Sequence, residues 1–91
     1  MDADAVLDQL KVILVERLRF DPARTEVLSP DTPLPKGVDG SLGLDSLDFI
    51  EMSLGIEAHF GIVVDDGDDL ARHFSSLGTL VSYITSRLGP A

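Results

Sequence analysis

A chain of 91 residues, 44% of them hydrophobic and five aromatic, has enough apolar material for one small, mostly aliphatic core and too little for the walls of a catalytic cleft as well. Sixteen acids against seven bases give a formal net charge of −9, a field that repels nucleic acid and anionic lipid and attracts basic protein patches at long range. No cysteine is present for a disulfide or thiolate metal site, no apolar run approaches the ~20 residues of a membrane span, and Met1-Asp2-Ala3-Asp4 lacks the basic start of a signal peptide.

Residues 4–18 place Val6, Leu10, Ile13, Leu14 and Leu18 at three- and four-residue steps. This is one helical stripe, with Asp2 or Asp4 available as N-cap. Asp21-Pro22 is expected to close it, because the residue before a proline is pushed out of the helical region. From 21 to 44, Pro22, Pro30, Pro33, Pro35, Gly37, Gly40 and Gly43 exclude a regular helix. Val27, Leu28, Leu34, Leu42 and Leu44 are available to anchor that long connection to a core, and an unstructured loop of such length is usually functional or held down.

A second helix is predicted over 46–60, stopped by Gly61. Ile62-Val63-Val64 is too short for a sheet. The acids Asp65, Asp66, Asp68 and Asp69 around Gly67 are expected to open a short third helix ending near Phe74, with negative charge favourable at its start. They lack the alternating spacing and closing Glu of a calcium loop, so no metal site is assigned. The last helix has Ser75 or Ser76 as cap, Leu77, Leu80, Val81, Ile84 and Leu88 in register, and Gly89-Pro90 as stop. The predicted fold is all-α: a four-helix bundle of three longer helices and one short one, with a long first loop. A single free-standing domain over 1–91, cytoplasmic and monomeric, is expected, since the chain begins with Met1 and ends just after its last helix signal.

The second predicted helix has two apolar faces. Phe49, Met52, Ile56 and Phe60 fall on one side and are assigned to the core, being bulkier. Leu47, Ile50 and Leu54 fall opposite, among Asp48, Glu51, Glu57 and Ala58. A bundle helix needs one buried stripe, so the second set reads as an exposed strip rimmed by carboxylates, the pattern of a docking surface. A long loop folded over it is the competing reading. Gly55, mid-helix at a cost of roughly 1 kcal/mol relative to Ala, implies close approach by another backbone or space for a substrate.

A serine at a helix start, such as Ser46, is by itself most often only an N-cap. Its surroundings say more. Gly43-Leu44-Asp45-Ser46-Leu47, then Ile50-Glu51-Met52, Ile56-Glu57 and Phe60-Gly61-Ile62, closely resemble the acyl carrier protein family. The resemblance extends to Leu28-Ser29-Pro30-Asp31-Thr32-Pro33-Leu34 before the motif and to Phe74-Ser75-Ser76-Leu77 through Tyr83-Ile84 after it.

The resemblance implies that Ser46 bears 4′-phosphopantetheine, transferred from coenzyme A by a phosphopantetheinyl transferase. It implies that the protein carries acyl groups on the arm's thiol and catalyses nothing itself. It also implies that Asp45, Asp48, Glu51 and Glu57 meet basic patches on the transferase and on acyl-loading and acyl-using enzymes, with Leu47, Ile50 and Leu54 as the apolar contact. A helix N-terminus favours a bound phosphate, whereas Asp45 and Asp48 oppose it by repulsion; they are therefore read as serving the partner more than the arm. Asp45 directly before Ser46 fits fatty-acid and polyketide carriers better than aminoacyl or peptidyl carriers, which stay open as the alternative. The 35–41 stretch and the acidic 65–69 segment look longer than in the family.

Rival classes are poorer fits. Ser46 and His59 lie thirteen helical residues apart, roughly 20 Å, so they share no proton. The sequence around Ser46 is not a nucleophile elbow. A cofactor-free helical adaptor shares every compositional feature with a carrier and differs only at Ser46 and its motif.

Overall fold

The computed structural model describes residues 2–64 and 70–88. Helix α1 (Ala3–Leu18) starts where the Asp2 carboxylate accepts the Ala5 N–H at 2.9 Å, which settles the N-cap in favour of Asp2 over Asp4. It ends at Arg19, in the left-handed region with φ 59°, and the Arg19 and Phe20 N–H groups both donate to the Leu14 carbonyl. The end thus comes before the expected break at Asp21-Pro22. Those two residues instead open a single helical turn, α2 (Pro22–Thr25), with the Asp21 carboxylate accepting the Ala23 N–H at 2.9 Å and Pro22 in the first turn, where an N–H is not needed. The punctuation of the long connection excludes regular helix except for this turn.

Helix α3 (Ser46–Phe60) begins and stops as the sequence indicates, with Gly61 left-handed at φ 69° and its N–H donating to the Glu57 carbonyl. The single-turn α4 (Leu70–His73) and the longer α5 (Leu77–Leu88) complete the bundle. Three longer helices and the short α4 match the expected architecture, and the described residues hold no sheet. The expected start of the third predicted helix in 65–69, and the stop at Gly89-Pro90, lie outside the described residues.

The core is built from Val6, Leu10, Ile13 and Leu14 of α1, Met52 and Ile56 of α3, and Leu77, Leu80, Val81 and Ile84 of α5. Each buried aliphatic contributes about 1.5–3 kcal/mol by leaving water. Phe49 and Phe60 pack against this cluster without being fully buried. Gly55 is explained by α1, but not by its backbone: a Cβ there would stand 2.5 Å from Ile13 Cγ2 and 3.0 Å from Arg17 Cδ. The glycine lets α1 and α3 approach side chain to backbone. Beside this contact Arg17 pairs with Glu51 at 3.7 Å, and His59 meets Gln9 at 3.2 Å and Glu16 at 3.7 Å.

The long connection is pinned at both ends of its second half. Leu34, Leu42 and Leu44 are buried and Leu28 packs at the core's edge, whereas Val27 is 80% exposed and anchors nothing. The Leu44 N–H donates to the Leu34 carbonyl at 2.9 Å, the Lys36 N–H to the Leu44 carbonyl at 3.0 Å, and the Leu42 N–H to the Pro33 carbonyl at 3.0 Å. The same strand of loop caps α5: the Leu77 N–H donates to the Thr32 carbonyl and the Gly78 N–H to the Pro30 carbonyl. Ser76 and Thr79 add a reciprocal pair, each side-chain oxygen accepting the other's N–H, so the cap of the last helix is Ser76 rather than Ser75. The first-turn donors of α5, which a helix cannot satisfy internally, are thus met by the loop and by Ser76. No helix among the described residues is long and apolar enough to cross a membrane.

Candidate functional site

Ser46 is the first residue of α3 and is exposed. Its cap is its neighbour. The Asp48 N–H donates to Asp45 Oδ1 at 3.0 Å, and the Asp45 N–H donates to Asp48 Oδ2 at 3.1 Å, a reciprocal capping box. Asp45 therefore takes the task that a serine at a helix start usually performs. Among the described residues the Ser46 hydroxyl has no hydrogen-bond partner. The Ser46 and Leu47 N–H groups are also left without acceptors, as expected in a first helical turn.

What precedes and follows Ser46 is rigidly held. Leu44, two residues upstream, is 2% exposed and bonded through both backbone groups to the loop. Phe49, three residues downstream, lies edge-on to Phe74 with ring centroids 5.4 Å apart, tying the first turn of α3 to the residue after α4.

The apolar strip is open. Leu47, Ile50 and Leu54 are 72%, 55% and 46% exposed, and the long loop does not fold over them. The four acids around the strip also have partners within the chain. Asp45 and Asp48 cap α3, Glu51 faces Arg17, and Glu57 Oε1 accepts the Val64 N–H at 3.1 Å, holding the turn after α3. His59 sits at the far end of α3 from Ser46 and is engaged with Gln9 and Glu16 of α1, so no serine–histidine pair forms.

Ser46 is thus a freely presented serine at a helix start, beside an uncovered apolar strip. The family model described as a phosphopantetheine attachment site matches residues 8–84. The chain belongs to the acyl carrier protein family. Proteins named acyl carrier protein are similar to it nearly end to end: that of Thermotoga maritima is 34% identical over 86 residues, covering 94% of this chain and 95% of the relative. That of Phenylobacterium zucineum is 34% identical over 84 residues (92% and 95%), and that of Caulobacter vibrioides 32% over 82 residues (90% and 94%).

Members of this family are non-catalytic carriers, and the prosthetic group implied is 4′-phosphopantetheine. The first turn of α3 fits such a group: an exposed, uncommitted hydroxyl can take a phosphodiester, and two unused backbone N–H groups stand beside it at the positive end of a helix. When bound, the group supplies a flexible arm and a terminal thiol in a chain that has no cysteine.

Reading the sequence by residue type missed the cap. Asp45 and Asp48 were recognisable as charges, but their three-residue spacing is also that of a capping box with an acid at each end, the signal that identifies their local role.

Proposed function

We propose that Ser46 is the attachment residue and that the protein carries acyl intermediates as thioesters between the enzymes of fatty-acid, polyketide or related secondary-metabolite biosynthesis. The observation that carries this reading is the Ser46 hydroxyl, exposed and unpartnered at the start of α3 in a chain matching the attachment-site family. A phosphopantetheinyl transferase brings coenzyme A to this hydroxyl. Leu47, Ile50 and Leu54 supply the apolar contact to that enzyme and to acyl-loading and acyl-using partners, and the carboxylates of Asp45, Asp48, Glu51 and Glu57 draw in their basic patches. Apolar burial then supplies affinity, and charge sets association rate and partner choice.

The test is intact mass after incubation with coenzyme A, magnesium and a broad-specificity transferase, with Ser46→Ala in parallel. One phosphopantetheine gained by the parent and none by the variant is the expected result. Modification of a control carrier with no gain here would favour the cofactor-free adaptor or a carrier that needs a dedicated transferase. Offering the phosphopantetheine-modified protein to acyl-transferring and to amino-acid-adenylating enzymes then separates an acyl carrier from an aminoacyl carrier.

A further inference from the structure

Serine is itself among the best N-capping residues, and Ser46 stands one position after the residue that caps α3. Two registers therefore compete for the helix start. In the observed one, Asp45 has extended backbone (φ −99°, ψ −173°) and receives the Asp48 N–H, while the Phe49 N–H donates to the Asp45 carbonyl at 3.0 Å. In the other, the start moves by one residue, Ser46 becomes the cap, and its Oγ turns back along the helix to accept the Phe49 N–H. Everything else around the turn is fixed: Leu44 is buried and hydrogen-bonded to Leu34 and Lys36, and Phe49 packs on Phe74.

We infer that Asp45 and Asp48 are positioning residues for arm transfer: their reciprocal cap keeps Ser46 at the first helical position and its hydroxyl out of capping. The inference rests on Ser46 being the attachment residue. In the transfer, Ser46 Oγ forms a bond to the phosphorus nearest the pantetheine, and the P–O bond to adenosine 3′,5′-bisphosphate breaks. The hydroxyl proton passes to a base of the transferase. An oxygen that already accepts the Phe49 N–H has a lone pair committed and is directed along the helix, away from an incoming phosphorus. The Asp45 cap removes that competition by satisfying the first turn with a different side chain. The two acids thus act on Ser46 through the backbone, in addition to any charge they present to a partner.

Asparagine keeps the capping oxygen and loses the charge; alanine loses both. Asp45→Asn and Asp45→Ala therefore have the same net charge and differ only in the cap. The experiment compares single-turnover arm transfer and the KM for each as substrate, together with hydrogen exchange of the Asp48 amide. Asp45→Ala is expected to transfer about fivefold more slowly than Asp45→Asn, the population factor that a typical cap loss produces, with the difference in the turnover rate rather than in KM. The Asp48 amide is protected in the parent and in Asp45→Asn, and unprotected in Asp45→Ala. Equal transfer rates for the two variants, with protection lost only in the alanine, overturn the inference and leave the acids as charge contacts alone. Where Asp45→Ala does not fold, the Asp48→Asn and Asp48→Ala pair is compared instead, with protection followed at the Asp45 amide, which donates to the Asp48 carboxylate. A mass gain by Ser46→Ala overturns the attachment reading together with the inference, whereas equal rates with an unmodified Ser46→Ala overturn the inference only.

Discussion

Gly78 and Pro30 join the last helix to the long loop: the Gly78 N–H donates to the Pro30 carbonyl at 2.7 Å, and a Cβ on Gly78 would lie 2.8 Å from that same oxygen. The contact lies on a backbone atom that cannot rotate aside. Through Leu34 and Leu44 the same stretch of loop leads directly to Asp45 and Ser46, so the N-terminal ends of α5 and α3 are held to one strap.

Gly78→Ala is therefore expected to destabilise the fold by about 1–3 kcal/mol, the range for overpacking a tight contact. Chemical denaturation checks this. A neutral or stabilising result, as alanine's greater helix propensity alone would give, contradicts the close approach.

Gly55→Ala sets the same two effects against each other at the α1–α3 contact. Helix propensity favours alanine by about 1 kcal/mol, but the new Cβ would stand 2.5 Å from the Cγ2 of fully buried Ile13. That methyl is next to the backbone and cannot swing away, so a net loss of about 1 kcal/mol is expected from overpacking. Its readout is the denaturation midpoint, with α3 helicity followed by circular dichroism.

Leu34→Ala tests the strap itself. Leu34 is fully buried in a segment without helix or sheet, and its removal is expected to cost about 2–5 kcal/mol. Hydrogen exchange of the Leu44 amide, which donates to the Leu34 carbonyl, should quicken more than that of mid-α1 amides. Uniform quickening across the chain would mean that the loop is no separate unit.

Leu47→Ser separates docking from folding. At 72% exposure Leu47 contributes little to the core, so stability should change by less than about 0.5 kcal/mol. Transfer to Ser46 should weaken several-fold through KM. Unchanged transfer kinetics would remove Leu47 from the docking surface.

Glu51→Lys reverses a charge that faces Arg17 at 3.7 Å, with both side chains partly in water. The stability change should stay within about 1 kcal/mol, as for other exposed pairs. Transfer should slow at low ionic strength and recover most of the difference as salt is raised, because screening reaches about 8 Å at physiological strength. A deficit independent of salt would point to a packing effect instead.

Hydrophobic periodicity by itself determined the three longer helices, because the three- and four-residue spacing of Val6, Leu10, Ile13 and Leu14, of Met52 and Ile56, and of Leu77, Leu80, Val81 and Ile84 is local and needs no knowledge of what packs against it. The stop at Gly61, the exposed strip of Leu47, Ile50 and Leu54, and the motif around Ser46 were legible for the same reason. Only the tertiary structure decided why Gly55 and Gly78 are glycines, that Val27 stays in water, and that residues 30–44 form a strap between two helix ends. Those outcomes depend on which orphaned backbone groups and close approaches find each other across tens of residues, and spacing along the chain does not record that pairing.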